Sequence, residues 1–113
     1  MKKIIAIVLS LMLVIPFVSL AQDKYTVGIA QFAVHGSLDN CREGFKLGMT
    51  EAGFVEGENI TYQEQNAQAD MGLAAQIASS FVGTKVDLIC AIATPMAVVS
   101  YQTADGALPV VYS

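Results

Sequence analysis

Chemistry-bearing residues are scarce in this chain, and each shortage removes a class of function. There is one histidine in 113 residues and there are only two cysteines, so a metal centre of the His/Cys type lacks ligands. No Gly-x-Ser-x-Gly elbow and no glycine fingerprint for phosphate occurs. No paired-carboxylate cluster follows the first predicted strand. Enzyme readings therefore have no starting point, and neither enzyme activity nor a cofactor is expected. Internal repeats and low-complexity segments are also absent. Basic residues are few: past residue 21 only Lys24, Arg42, Lys46 and Lys85 stand against ten acidic residues, a net charge near −6. An acidic surface without a basic cluster argues against nucleic acid and anionic membranes as partners.

What is present begins with an address. Lys2 and Lys3 form a short positive region, Ile4 to Ile15 are almost all apolar, and Pro16 breaks the run. Ser19-Leu20-Ala21 places small residues at the −3 and −1 positions of a cleavage site. A membrane-spanning helix wants about 20 unbroken apolar residues, so residues 1–21 read as a signal peptide cleaved after Ala21. The alternative is an uncleaved anchor. A lipid anchor would need cysteine where Gln22 stands. The mean hydropathy of +0.53 owes part of its value to this leader and does not mark a membrane protein.

The remainder alternates between two periodicities. Tyr25 to Gln31 reads as a first strand, Phe32 to Gly36 as a loop, and Ser37 as the cap of a helix with Asp39 in its first turn. Ala52-Gly53-Phe54 has the form of a helix C-cap with its apolar contact. Gly44 and Gly48 inside that helix suggest close approach to a sheet. Cys41 shares its apolar face with Phe45, Met49 and Ala52. Asn59 to Gln65 alternates and reads as a half-exposed edge strand. Asp70 caps a second helix with Leu73, Ile77, Phe81 and neighbours in one stripe, closed by Gly83.

Residues 85–95, KVDLICAIATP, are the most informative stretch. The apolar run lacks polar alternation, as in a strand buried on both faces of a parallel sheet. Cys90 lies within it, and both cysteines fit small buried hydrophobes better than a disulfide. Thr94 then offers an N-cap and Pro95 a first helical residue. A helix to about Thr103, a turn at Ala104-Asp105-Gly106 and a strand from Pro109 to Tyr112 follow, before Ser113. The order β-α-β-α-β-α-β with short loops specifies an α/β, Rossmann-like parallel sheet with helices on both faces and strand order 2-1-3-4. Residues 22–113 read as an incomplete lobe, since the last strand has no covering helix and the core is small.

Three segments carry a family resemblance: TVGIAQFAVHGSLDNCREGFKLGMTEAGFVEGENI, TYQEQNAQADMGLAAQIASSFV and KVDLICAIATPMA. They resemble the substrate-binding proteins of ABC importers, with the type I periplasmic-binding-protein fold, and most of all the branch associated with tryptophan and tyrosine uptake. The resemblance covers residues 25–113. It implies a two-lobed extracytoplasmic protein that closes over a small ligand, an aromatic or branched amino acid. Its partners would be ABC permease subunits, and it would meet the membrane only through them. The same fold also serves as the ligand-sensing domain of signalling receptors, which is the alternative function. Many relatives have proline where this chain has Gly36.

The resemblance places ligand contacts on the loops after the strands: Gln31, Phe32 and His35, then Thr94 and Pro95, then Ser113. Asn66, Gln68 and Asp70 are weaker candidates. Each has an ordinary reading beside it. Phe32 stacks on a ligand or fills the core, and His35 binds a carboxylate or is merely solvated. Gln31 offers a donor and an acceptor at a strand's carboxyl end, where the sheet aims it toward the cleft. Thr94 binds an anion beside a helix N-terminus or only caps its helix, and Asp70 is foremost a cap.

Overall fold

A computed structural model describes residues 23–113. The predicted leader and cleavage site fall outside the described residues. Four strands and three helices alternate: β1 (Tyr25–Gln31), α1 (Gly36–Glu51), β2 (Ile60–Asn66), α2 (Met71–Gly83), β3 (Leu88–Ile92), α3 (Thr94–Ala104) and β4 (Val110–Tyr112). The strands form one parallel sheet in the order β2-β1-β3-β4. That is the predicted 2-1-3-4 order, and β2 is the half-exposed edge strand its alternation implied.

The two faces are covered unequally. Val27, Ile29, Cys90 and Ile92 turn to one face, where Leu38, Cys41, Phe45 and Met49 of α1 pack on them. Ala30, Ile89 and Ala91 turn to the other, against Ala74, Ile77, Ala78 and Phe81 of α2 and Met96 of α3. Right-handed crossovers produce this division. The chain steps from β1 to β2 in one direction and back past β1 in the other, so α1 lies opposite α2 and α3. Among the described residues no helix is long and apolar enough to cross a membrane.

Gly28 has a steric reason. A Cβ built there would lie 2.7 Å from the ring of Phe81, which is itself fully buried and cannot swing away. Gly44 and Gly48 behave differently from expectation. Both are exposed, and a Cβ at either meets nothing within 4 Å, so neither serves close packing on the sheet.

Two helix starts differ from the sequence reading, and α2 ends at Gly83 as expected but without a left-handed glycine. His35, not Ser37, is the N-cap of α1, and its Nδ1 accepts from the Ser37 N–H at 3.2 Å. An imidazole nitrogen can replace the usual short oxygen side chain because it reaches the same donor. At the end of α2 the left-handed residue is Lys85 (φ 57°), two residues past Gly83, with Val86 N–H bonded to Phe81 C=O. Ala93, not Thr94, precedes α3 as its cap. The predicted end of α1 does hold: Gly53 is left-handed, and the Phe54 N–H reaches Met49 C=O at 2.9 Å. Phe54 then packs edge-on against Tyr25, with ring centroids 5.8 Å apart. Asp70 caps α2, its Oδ1 accepting from Leu73 N–H at 2.9 Å.

The cysteines are free thiols, Cys90 buried and Cys41 half-buried. Burial, and after it the neighbouring Cys41, pushes the Cys90 thiol up from 9.0 to about 11.

Two tests follow from this packing. Gly28→Ala should destabilise by about 1–3 kcal/mol through overpacking, whereas Gly44→Ala should stabilise by roughly 0.5–1 kcal/mol as an exposed helical glycine is removed. Chemical denaturation of the two variants reads both signs. The second test is alkaline. Below pH 9 the neutral Cys90 thiol contributes its full stability in the fold. From there to about 11 the unfolded chain loses this proton before the folded one, so stability falls as pH rises. The Cys90→Val variant should show a shallower loss over that window.

Candidate functional site

The carboxyl ends of all four strands meet at one rim. Gln31 is in register with Asn66 on one side and Ile92 on the other, and Ala91 with Tyr112. The loops beyond are tied to one another. Phe32 N–H donates to Ile92 C=O at 3.2 Å, and Ala69 N–H to Phe32 C=O at 2.8 Å. Ala93 N–H donates to Ser113 C=O at 3.0 Å. The chain reverses direction between β1 and β3, which makes the crevice at their ends the place where open parallel sheets bind small molecules. The rim therefore brings together Phe32, Pro95 and Ser113 with the N-terminus of α3.

The N-terminus of α3 is open. Its first backbone bond runs from Ala97 N–H to Ala93 C=O, so the N–H groups of Thr94 and Met96 have no helical partner, and Pro95 has none to offer. No side chain caps it. Thr94 is exposed, and its hydroxyl is not spent on the cap that its sequence position suggested. Ala93 is responsible. It sits at φ 83°, ψ 148°, a region that glycine favours, and takes the cap position itself. Two more non-glycine residues at the rim, Gln68 (φ 52°) and Ala69 (φ 60°), are left-handed. This strain was invisible in the sequence, where nothing distinguishes Ala93 from an ordinary alanine.

The other candidates divide by surroundings. Phe32 is half-buried against the core on the α2–α3 face. His35 is exposed, with its Nδ1 2.9 Å from Ser37 Oγ, so one ring nitrogen is committed to the cap and the other faces outward. Ser113 is exposed, and its hydroxyl donates to Cys41 Sγ at 3.4 Å. Asn66 Oδ1 accepts from Gln68 N–H at 2.8 Å, a turn-forming bond, and Asp70 is engaged as a cap. Gln31 does not aim into the crevice. Its side chain lies on the α1 face with those of Val27 and Ile29, because residues two apart share a face, and it bonds to Ala33, Asp39 and Arg42. Arg42 was missed by sequence reasoning. Its position three residues after Asp39 on α1 was the available sign.

A wide concavity lies along the flank between α3 and β4. It encloses about 660 Å³ and is lined mainly by Ala97, Val98, Tyr101, Val110 and Tyr112, with Thr94 and Ser113 at its upper end. Tyr101 and Tyr112 are 74% and 78% exposed. Its apolar, uncharged lining suits packing against protein better than recognition of a polar solute. Among the described residues no three His, Cys, Asp or Glu side chains converge as metal ligands.

Comparison with known proteins yields consistent relatives. A family profile described as "ABC transporter substrate binding protein" matches residues 26–113. A curated "Tyrosine-binding protein" of Clostridioides difficile (strain R20291) is 42% identical over 82 residues, which are 73% of this chain and 24% of that protein. The ligand-free, open structure of a Clostridium difficile substrate-binding protein with adhesive properties superposes with a TM-score of 0.73 at 40% identity. That match covers 78% of this chain and 30% of the other. A Streptococcus pneumonia domain in complex with L-Trp gives 0.68 at 28% identity, covering 80% and 30%. The chain thus spans about a quarter of the length of the curated relative it matches.

Replacing Ala93 by glycine tests the strain directly. Relief of a conformation costing about 1–3 kcal/mol, less the added entropy of an unfolded glycine, should raise stability by about 1 kcal/mol. An unchanged or lowered denaturation midpoint for Ala93→Gly would show that the positive φ is not strained.

Proposed function

Because this chain belongs to the family of ABC transporter substrate-binding proteins, we propose that it is the first part of one lobe of a two-lobed extracytoplasmic protein. That protein captures an amino acid and delivers it to ABC permease subunits. The proposed ligand is an aromatic amino acid, tyrosine or tryptophan. A relative described as tyrosine-binding and a structure holding L-Trp support that choice. On this reading residues 1–21 are the export signal, and the apolar flank of α3 and β4 is covered by further parts of the same lobe.

The observation that carries the reading is the unfilled N-terminus of α3. The backbone N–H of exposed Thr94 and its hydroxyl, not used by the cap, can receive a carboxylate, with the buried Met96 N–H adding its field from beneath. A neutral ligand would gain less there, since a helix N-terminus favours negative charge by about 0.3–1 kcal/mol even when exposed. Phe32 offers a ring edge or face for the ligand side chain, while His35, Pro95 and Ser113 line the approach. The lobe alone binds weakly, because small-ligand sites enclose most of the ligand's surface.

The test uses the complete protein in a thermal-shift screen against amino acids, sugars and nucleosides, followed by calorimetry. Stabilisation by tyrosine or tryptophan is expected. Thr94→Val should cost about tenfold in affinity by leaving a ligand oxygen unpaired, without harm to the fold, since Thr94 is exposed. Asp70→Asn should change little, because asparagine caps as well as aspartate. Stabilisation by a sugar alone, or an unaffected Thr94→Val variant, would refute the proposed ligand.

A further inference from the structure

We propose that Gln31 is the positioning residue of the ligand-facing loop and not itself a ligand contact. This rests on the reading of the rim as an amino-acid site. Gln31 is the last residue of β1 and only 2% exposed. Its Nε2 donates to Ala33 C=O at 2.8 Å and to Asp39 Oδ1 at 2.7 Å. Its Oε1 accepts from Arg42 Nη1 at 3.0 Å. A carboxamide has two donor hydrogens and one acceptor oxygen. Both hydrogens are spent, and the oxygen is held by a guanidinium. The orientation of the amide is unambiguous, because a carbonyl can only accept and an arginine can only donate.

The partners explain what the arrangement does. Ala33 belongs to the loop, Asp39 and Arg42 to α1, and Arg42 continues to Glu64 Oε1 of β2 at 3.4 Å. One buried side chain therefore fastens the loop after β1 to the helix after it and, through Arg42, to the edge strand. The loop's other fixings are backbone ones: Phe32 N–H to the end of β3, and Phe32 C=O to Ala69 N–H. His35 ends the loop as the α1 cap. Val34, at 78% exposed, is the residue left untied at its tip. Were Gln31 to turn toward a ligand, it would leave a backbone carbonyl, a carboxylate and an arginine without their shared partner. The arrangement instead keeps Phe32 and His35 in one pose before the ligand arrives, which lowers the ordering cost of binding.

The experiment uses the complete protein with L-tyrosine and L-tryptophan as probes. It compares wild type, Gln31→Glu, and Gln31→Glu combined with Asp39→Asn. In the single variant a second carboxylate faces Asp39 and the donor to Ala33 is lost. The double variant restores a donor–acceptor pair between positions 31 and 39 but not the donor to Ala33. Amide hydrogen exchange over residues 32–37 and calorimetric affinity are both read. Gln31→Glu should speed exchange in that segment about tenfold and weaken binding about tenfold, and the second substitution should recover part of the affinity while exchange stays fast, because the bond to Ala33 is still missing. Should Gln31→Glu fail to fold, Gln31→Met, neutral and of similar length, is put in its place and should show the same loosening. Unchanged exchange over 32–37 in Gln31→Glu, or exchange returned to the wild-type rate by the second substitution, overturns the proposal. A wild-type protein that binds neither amino acid refutes the amino-acid site instead, and the exchange comparison still decides the role of Gln31 in fixing the loop.

Discussion

Burial of β1 and β3 on both faces is the constraint from which the rest of this fold follows. Ile29, Ala30, Ile89, Ala91 and Ile92 are wholly excluded from water, and they belong to two adjacent strands in register. Two such strands need a helical layer on each side, which the crossovers supply. The same pair defines the switch point, because the chain departs from β1 toward one edge and returns to build the other. Packing and site are therefore one arrangement. The step that hides the core also opens a crevice at the strand ends, where α3 begins without a cap. Gly28 belongs to this constraint, since without the space it leaves for Phe81 the α2 layer would stand off the sheet.

The rim combines rigid and strained parts. Ala93 adopts a backbone conformation suited to glycine, and two successive left-handed residues, Gln68 and Ala69, turn the loop after β2. Such positions persist only where their surroundings hold them. The surroundings here are the cross-loop bonds from Phe32, Ala69, Ala93 and Ser113. Beside them a line of charges, Asp39, Arg42, Glu64 and Lys46, runs over α1 and β2. Most of these pairs are partly exposed and screened, so each adds little to stability. Their value is directional, because they fix where Arg42 lies and hence the amide of Gln31.

The parts of this architecture that were legible in the sequence are those set by repeating patterns. The run from Leu88 to Ile92 announced a doubly buried strand, and the alternation around Ile60 and Tyr62 an edge. Ala52-Gly53-Phe54 announced a helix end through a chemistry that only glycine satisfies easily. Helix starts were less legible, because a cap depends on which nearby side chain reaches the free N–H groups. His35 reached them before Ser37, and the twisted backbone of Ala93 displaced Thr94 from the role. Lys85 took a left-handed conformation for which nothing in its own chemistry prepares the reader. Exposure of Gly44 and Gly48 was likewise hidden, since a glycine on a helix gives no sign of its face. The direction of Gln31 was recoverable from strand alternation with Val27 and Ile29, but its partners required the docking of α1.

The two helical layers are not equally anchored. Helix α2 buries Ala74, Ile77, Ala78 and Phe81, whereas α1 buries no residue completely and carries two glycines in its exposed turns. Few buried contacts and weak helix propensity together make a segment open at a lower free energy than the core around it. Helix α1 is held to the sheet by partly buried side chains alone, Leu38, Cys41, Phe45 and Met49, where α2 is held by fully buried ones. Because the first half of the rim hangs from α1, the fold has a soft side and a hard side. The loop after β1 is held to the soft side by the amide of Gln31, while the start of α3 rides on the hard one.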